Sequence, residues 1–195
     1  MHKVICCAIL ALLMEATIAR NQTWRSEIAL LEDGARKSPT EPRVHLNLGV
    51  QYQKAGRLNE ALTMYAQTVR IVQKYPDNPL TVAFNLGAVA TTNAAAIYVD
   101  AGKLAQAHDV LLKMPFKRNM EWYNQAAVTE LRLDRPEEAL AVLKAGESQF
   151  KDSAMLLYNE ADTYRVMGRC DEALRAYTAA DQADRTLGVI PKECK

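Results

Sequence analysis

Ala55-Gly-Arg-Leu-Asn-Glu-Ala61-Leu, Ala101-Gly-Lys-Leu-Ala-Gln-Ala107-His, Leu133-Asp-Arg-Pro-Glu-Glu-Ala139-Leu and Met167-Gly-Arg-Cys-Asp-Glu-Ala173-Leu are one pattern written four times. Its second residues, Gly56, Gly102, Asp134 and Gly168, and its alanines both step by 46, 32 and 34. Recurrence at such a period is the mark of a repeat array, in which each unit buries its apolar face only by stacking on its neighbours. A large residue stands four before each turn (Tyr52, Tyr98, Glu130, Tyr164), and another stands four after each alanine (Tyr65, Leu111, Leu143, Tyr177). Helix, tight turn, helix is the physical reading. Glycine enters the left-handed conformation that ends the first helix at little cost, and the Asn, Asp, Glu and Pro residues that follow suit a helix start. The fixed alanine marks a crossing too close for a larger side chain, and the bulky residues fill the groove beside it.

Composition agrees. Hydrophobic residues make up 49% and aromatics 7% of the 195 residues, with 30 Ala and 22 Leu. This excludes a disordered chain and disfavours a β-sandwich or barrel. A net charge of +1 removes the electrostatic basis for a nucleic-acid or polybasic membrane partner.

The repeats resemble tetratricopeptide repeats (TPRs). Leu48-Gly49, Tyr52, Gly56, Ala61 and Tyr65 stand at that family's offsets; the fourth repeat keeps Tyr164, Gly168, Ala173, Tyr177 and Ala180 but has Glu160-Ala161 in place of Leu-Gly. The third departs further, with Ala126-Ala127, Glu130 and Asp134 at signature positions. The resemblance implies an all-α fold, a right-handed solenoid of helix-turn-helix repeats that binds a protein or peptide and needs no cofactor. The structural repeat positions are then Gly49, Tyr52, Gly56, Ala61, Gly102, Ala107, Ala139, Gly168 and Ala173.

Residues 1–19 are expected to be a signal peptide or short anchor, 20–41 an N-terminal half-repeat helix, 42–185 four repeats and 186–195 a tail. His2 and Lys3, the apolar run Val4 to Met14 and Ala16-Thr17-Ile18-Ala19 have the layout of a secretory signal cleaved before Arg20. The expected location is therefore periplasmic or secreted, with a membrane-anchored form facing the extracytoplasmic side as the alternative. Arg20-Asn21, Trp24, Glu27, Leu30-Leu31, Asp33 and Ser38-Pro39 also resemble the segment before the TPR tail of polytopic glycosyltransferase-like membrane proteins.

Thr23 to Lys37 reads as one helix with Trp24, Ile28, Leu31 and Ala35 on a face. The 46-residue step, with Asn85-Leu86-Gly87 repeating Asn47-Leu48-Gly49, points to an elongated second repeat. The helix before Pro76 runs on, and one from Leu80 to Asp100 would reach about 31 Å and protrude.

Chemistry is sparse. Beyond the leader, the histidines are His45 and His108, read as packing residues, and no zinc-protease motif, Cys-x-x-Cys pair, phosphate loop or nucleophile elbow occurs. The expectation is a binding protein without catalysis or metal. Cys170 and Cys194 suit a disulfide in an oxidising compartment. The helix between them carries the chain roughly 20 Å away, and the extended tail can return about 27–30 Å, laying Leu187, Val189 and Ile190 over the last helix.

Stacked helix pairs leave a concave face lined by their first helices. The residue before each Leu-Gly slot projects there: Asn47, Asn93, Gln125 and Asn159. Primary amides both donate and accept, so such a ladder can pair with an extended peptide backbone. Lys54, Arg132 and Arg165 add charge suited to a carboxylate. The ladder is also part of the TPR signature, since asparagine is usual at this slot. The expected function is a non-enzymatic exported scaffold, the alternative an accessory subunit of an envelope glycan- or protein-modifying membrane complex.

Overall fold

A computed structural model describes residues 2–76 and 85–187. Among them every element is helical: α1 (His2–Thr23), α2 (Glu27–Lys37), α3 (Pro42–Lys54), α4 (Leu58–Lys74), α5 (Leu86–Asp100), α6 (Leu104–Leu112), α7 (Met120–Arg132), α8 (Pro136–Gln149), α9 (Ala154–Val166), α10 (Cys170–Ala183) and a short 3-10 turn, Arg185–Leu187. The all-α class read from the sequence is the observed one. The chain divides into two compact units, Met1–Leu86 and Gly87–Lys195.

The repeated pattern lands on the helix-turn-helix elbows. Gly56, Gly102 and Gly168 have φ of 74°, 71° and 72°, and Asp134 takes the same left-handed conformation at 61°. Ala61, Ala107, Ala139 and Ala173 are buried, as are Tyr65, Leu111, Leu143 and Tyr177 four residues on. The alanine leaves room for two helices to close, and the bulky residue one turn later fills what remains.

In the first unit α3 and α4 form the complete pair. Leu46, Leu48, Tyr52, Ala61, Tyr65, Ile71 and Val72 make the core. Gly49 is required here, because a Cβ would stand 2.7 Å from the Tyr65 ring. His45 is buried, with Nε2 3.0 Å from the Pro39 carbonyl. The Tyr52 hydroxyl donates to Glu32 at 2.7 Å, tying α2 to α3; burial first, then the Glu32 carboxylate, pushes its pKa up to about 12.

Two expectations for this region are corrected. The helix expected over Thr23–Lys37 is broken: α1 runs to Thr23, and α2 begins at Glu27 behind Ser26, whose hydroxyl accepts from the Ala29 N–H at 3.1 Å. That cap satisfies an end N–H and fixes a new helix start. It leaves Trp24 64% exposed and out of the core. The helix expected from Leu80 starts at Leu86, after Asn85 at φ 46°. With 15 residues it is close in length to the other first helices, and it is buried at Ala88, Ala90, Thr91, Thr92, Ala95, Ile97 and Val99. The run-on of α4 is real, 17 residues against 14 in α8 and α10. Residues 77–84 lie outside the described residues.

In the second unit Leu111, Trp122, Tyr123, Ala126, Ala127, Ala139, Leu143 and Leu156 form one core, while Ala161, Tyr164, Ala173, Ala176 and Tyr177 form another between α9 and α10. Gly87 plays the part of Gly49, for a Cβ there would overlap the Phe116 ring from the α6–α7 loop. Cys170 is disulfide-bonded; Cys194, Val189 and Ile190 lie outside the described residues.

A Cβ on Gly56 would meet nothing within 4 Å, so Gly56→Ala isolates backbone strain and should lower stability by about 1 kcal/mol. Ala139→Leu, at 0% exposure, should cost about 1–3 kcal/mol by overpacking. Urea denaturation measures both; an Ala139→Leu protein as stable as the parent would contradict the close crossing.

Candidate functional site

Each elbow of the second unit presents the N-terminal half of its next helix with a basic residue at the cap, and these residues do more than end a turn. In the last repeat Arg169 lies 4.6 Å from the Tyr164 ring centroid and pairs with Glu172; in the first unit Arg57 lies 4.3 Å from Tyr52 and pairs with Glu60. Where the third repeat has Glu130 instead of tyrosine, Arg135 meets its carboxylate at 3.5 Å. The other oxygen of Glu130 is 2.6 Å from Nδ1 of His108. Two departures from the repeat pattern, His108 after its alanine and Glu130 in an aromatic slot, are thus a pair joining α6 to α7. Neither one explains the other until they are seen side by side.

The first helices α5, α7 and α9 are joined laterally. Arg132 on α7 donates to the Val99 carbonyl near the end of α5 at 2.9 Å, where a cation also complements the helix dipole. Asn159 on α9 donates through Nδ2 to Oδ1 of Asn124 on α7 at 3.1 Å. Asn124 is only 8% exposed, and its own Nδ2 has no hydrogen-bond partner among the described residues. A buried amide N–H left unmatched costs about 1–3 kcal/mol, so this seam gives up stability to keep an amide.

Asp162, one turn beyond Asn159, accepts from the Tyr177 hydroxyl at 2.5 Å and from Nε of Arg165 at 3.2 Å. Burial first and then the Asp162 carboxylate push the Tyr177 pKa up to about 12, and the same carboxylate raises that of Arg165. This cluster fixes α10 to α9 beside the amides.

The residues expected in the groove therefore divide. Asn93, Gln125 and Asn159 are half-buried on α5, α7 and α9 of the second unit. Arg132 and Arg165 are engaged by Val99 and Asp162, so their charge is partly spoken for. Asn47 and Lys54 are exposed on α3 of the first unit. Asn124 was missed because the Leu-Gly register singles out Gln125, one residue further. Its signal was a pair of adjacent amides, Asn124-Gln125, inside the otherwise largely apolar stretch Trp122 to Val128. Among the described residues no three His, Cys, Asp or Glu converge in a metal-holding group.

The family model for the tetratricopeptide repeat matches residues 42–67, which hold α3, its elbow and the start of α4. Solved TPR structures share the fold. YrrB, described as a TPR protein with an unusual peptide-binding site, matches with a TM-score of 0.59 at 16% identity, over 80% of this chain and 75% of its own. MamA AMB-1 matches with 0.59 at 23%, over 87% of this chain and 95% of its own. A MamA chain from Desulfovibrio magneticus RS-1 matches with 0.61 at 13%, over 89% and 94%. Compared by sequence with curated proteins, the chain has no significant match. Its fold is that of a tetratricopeptide-repeat protein, a helical solenoid of repeated helix pairs. The resemblance of residues 20–39 to a membrane-protein segment finds no support in these comparisons.

Asn124 and Asn159 should be energetically coupled. A double-mutant cycle with Asn124→Ala and Asn159→Ala should return about 0.5–1.5 kcal/mol of interaction free energy in chemical denaturation; strictly additive effects would contradict the link.

Proposed function

We propose that the protein is a non-enzymatic, exported TPR scaffold that captures an extended segment of a partner protein on the amide-bearing face of α5, α7 and α9. The observation that carries this reading is the Asn159–Asn124 amide link, in which buried Asn124 holds the half-buried Asn159 amide in place on this face. Half-buried Asn93 and Gln125 flank it on the same set of helices. An extended backbone presents carbonyl acceptors and N–H donors in turn, and side-chain amides match both. With a net charge of +1, recognition rests on shape and hydrogen bonding rather than on bulk attraction. Asn47 offers the same amide chemistry on α3, and exposed Lys54 adds a positive charge there. YrrB's described peptide-binding site supports the assignment of a peptide to this fold.

Export is supported by the signal-like residues 1–19 and by the disulfide at Cys170, a bond that persists in oxidising compartments. Cys194 is the proposed partner of Cys170. Ile5, Ile9, Leu10, Leu12, Leu13, Met14 and Ile18 are exposed along α1, which favours a second reading, an anchored accessory subunit of an envelope membrane complex. Among the described residues no helix is long and apolar enough to cross a membrane.

Selection of unstructured peptides from a random display library against the purified protein tests the function. Enriched peptides should lose at least about 1 kcal/mol of affinity, roughly fivefold, on Asn124→Ala and on Asn159→Ala. Failure to enrich any peptide, or binding unchanged by both substitutions, would overturn the proposal. N-terminal sequencing of the exported protein should begin at Arg20; an intact Met1 on membrane-retained protein would favour the anchored form.

A further inference from the structure

The slot that holds Leu48 in the first repeat holds Glu160 in the last, and both residues are buried. A carboxyl in a leucine position is costly to ionise unless a partner or a proton neutralises it. Facing it across the seam between α8 and α9 are Lys144 and Glu147, one turn apart on α8. Lys144 Nζ stands 3.9 Å from Glu160 Oε1 and 5.8 Å from the Tyr164 ring centroid. Glu147 has a buried Oε1 with no hydrogen-bond partner among the described residues. Two carboxyls thus meet at a helix–helix contact where the one ammonium group reaches Glu160 alone, and full ionisation leaves an excess negative charge in a partly desolvated place.

The surrounding elements offer little to neutralise it. From α7, the group against this stretch of α8 is the uncharged Tyr123 ring, which meets Gly146 beside Glu147. From α9 come Glu160 and Tyr164, whose ring lies under the Lys144 ammonium. From α10, Glu172 acts on Lys144, and Arg169 is already held by Glu172 and Tyr164. The charged groups acting on Glu147 are therefore Glu160 and Lys144. Burial first, then the Glu160 carboxyl, pushes the Glu147 pKa up to about 7, against the smaller opposing pull of Lys144.

We propose that the seam between α8 and α9 is a proton-operated joint: a proton on Glu147, opposite Glu160, holds α9 against α8, and its loss loosens α9 together with the α10 packed on it. Asn159 directly precedes Glu160, so the movement reaches the Asn124–Asn159 link. The joint stands whether or not that link binds a peptide.

The sign follows from linkage. An acid whose folded pKa is raised gives its full contribution below its unfolded value, here 4.5, and loses it as pH rises through about 7. The thermal midpoint should fall between about pH 5 and pH 8 by several degrees more in the parent than in Glu147→Gln. Glu160→Leu, which restores the residue type of Leu48, should raise the midpoint at the upper pH and flatten the profile. Amide hydrogen exchange in α9 should be faster at the upper pH in the parent and pH-independent, after correction for intrinsic rates, in Glu147→Gln. A carbon-13 titration of the parent reads Glu147 directly: a midpoint near 7 is expected. A midpoint in the ordinary carboxylate range, or equal falls in midpoint for parent and Glu147→Gln, would overturn the proposal.

Discussion

The close crossing of paired helices at a buried alanine is the constraint on which the rest of this protein depends. At Ala61, Ala107, Ala139 and Ala173 a methyl group is the largest side chain that fits, so the helices approach and the residue one turn later can be large. The elbow before each alanine must then reverse the chain at once. Glycine does this three times at positive φ and Asp134 once, aspartate being one of the few other residues that tolerate the left-handed region. The basic residue after the elbow covers the aromatic ring at the end of the previous helix and pairs with the acid in the next, as Arg57 and Arg169 both do. One steric condition thus organises the elbow, the core and the surface charges around it.

Much of this was legible in the sequence because it is local. Gly56 to Ala61 and Gly168 to Ala173 each carry an elbow and a crossing within six residues, and the flanking tyrosines sit at fixed offsets. What was not legible depends on pairs far apart in sequence. Glu130 looked like a failed aromatic position until His108, 22 residues earlier, appeared against it. Gly87 belonged to a displaced motif whose reason is the Phe116 ring from a later loop. Trp24 fits a helical stripe, yet the Ser26 cap, a single side-chain hydrogen bond, breaks the stripe and exposes the indole. The apolar period sets helix faces well and helix ends poorly, because ends are decided by caps and by tertiary partners.

The candidate site divides along the same line. The ladder of Asn93, Gln125 and Asn159 follows from register alone, whereas Asn124 emerges only when α7 and α9 lie side by side. Arg132 and Arg165 looked like free cations in the sequence; the first serves the end of α5 and the second the Asp162–Tyr177 cluster. Binding chemistry on this face is therefore more amide than ionic. A few buried polar groups, Asn124 on one side of α9 and Glu147 with Glu160 on the other, interrupt an otherwise apolar packing scheme. Such interruptions cost stability and are where function concentrates in a repeat fold whose other positions are fixed by packing.

Side-chain amide NMR resolves the question most directly. In the second unit, the Nδ2 protons of Asn124 and Asn159 should shift together when an extended peptide selected by the protein is titrated in. Saturating peptide that leaves the Asn93, Asn124 and Asn159 amide resonances in place, while shifts appear elsewhere, would show that the amide face is scaffold and not binding site.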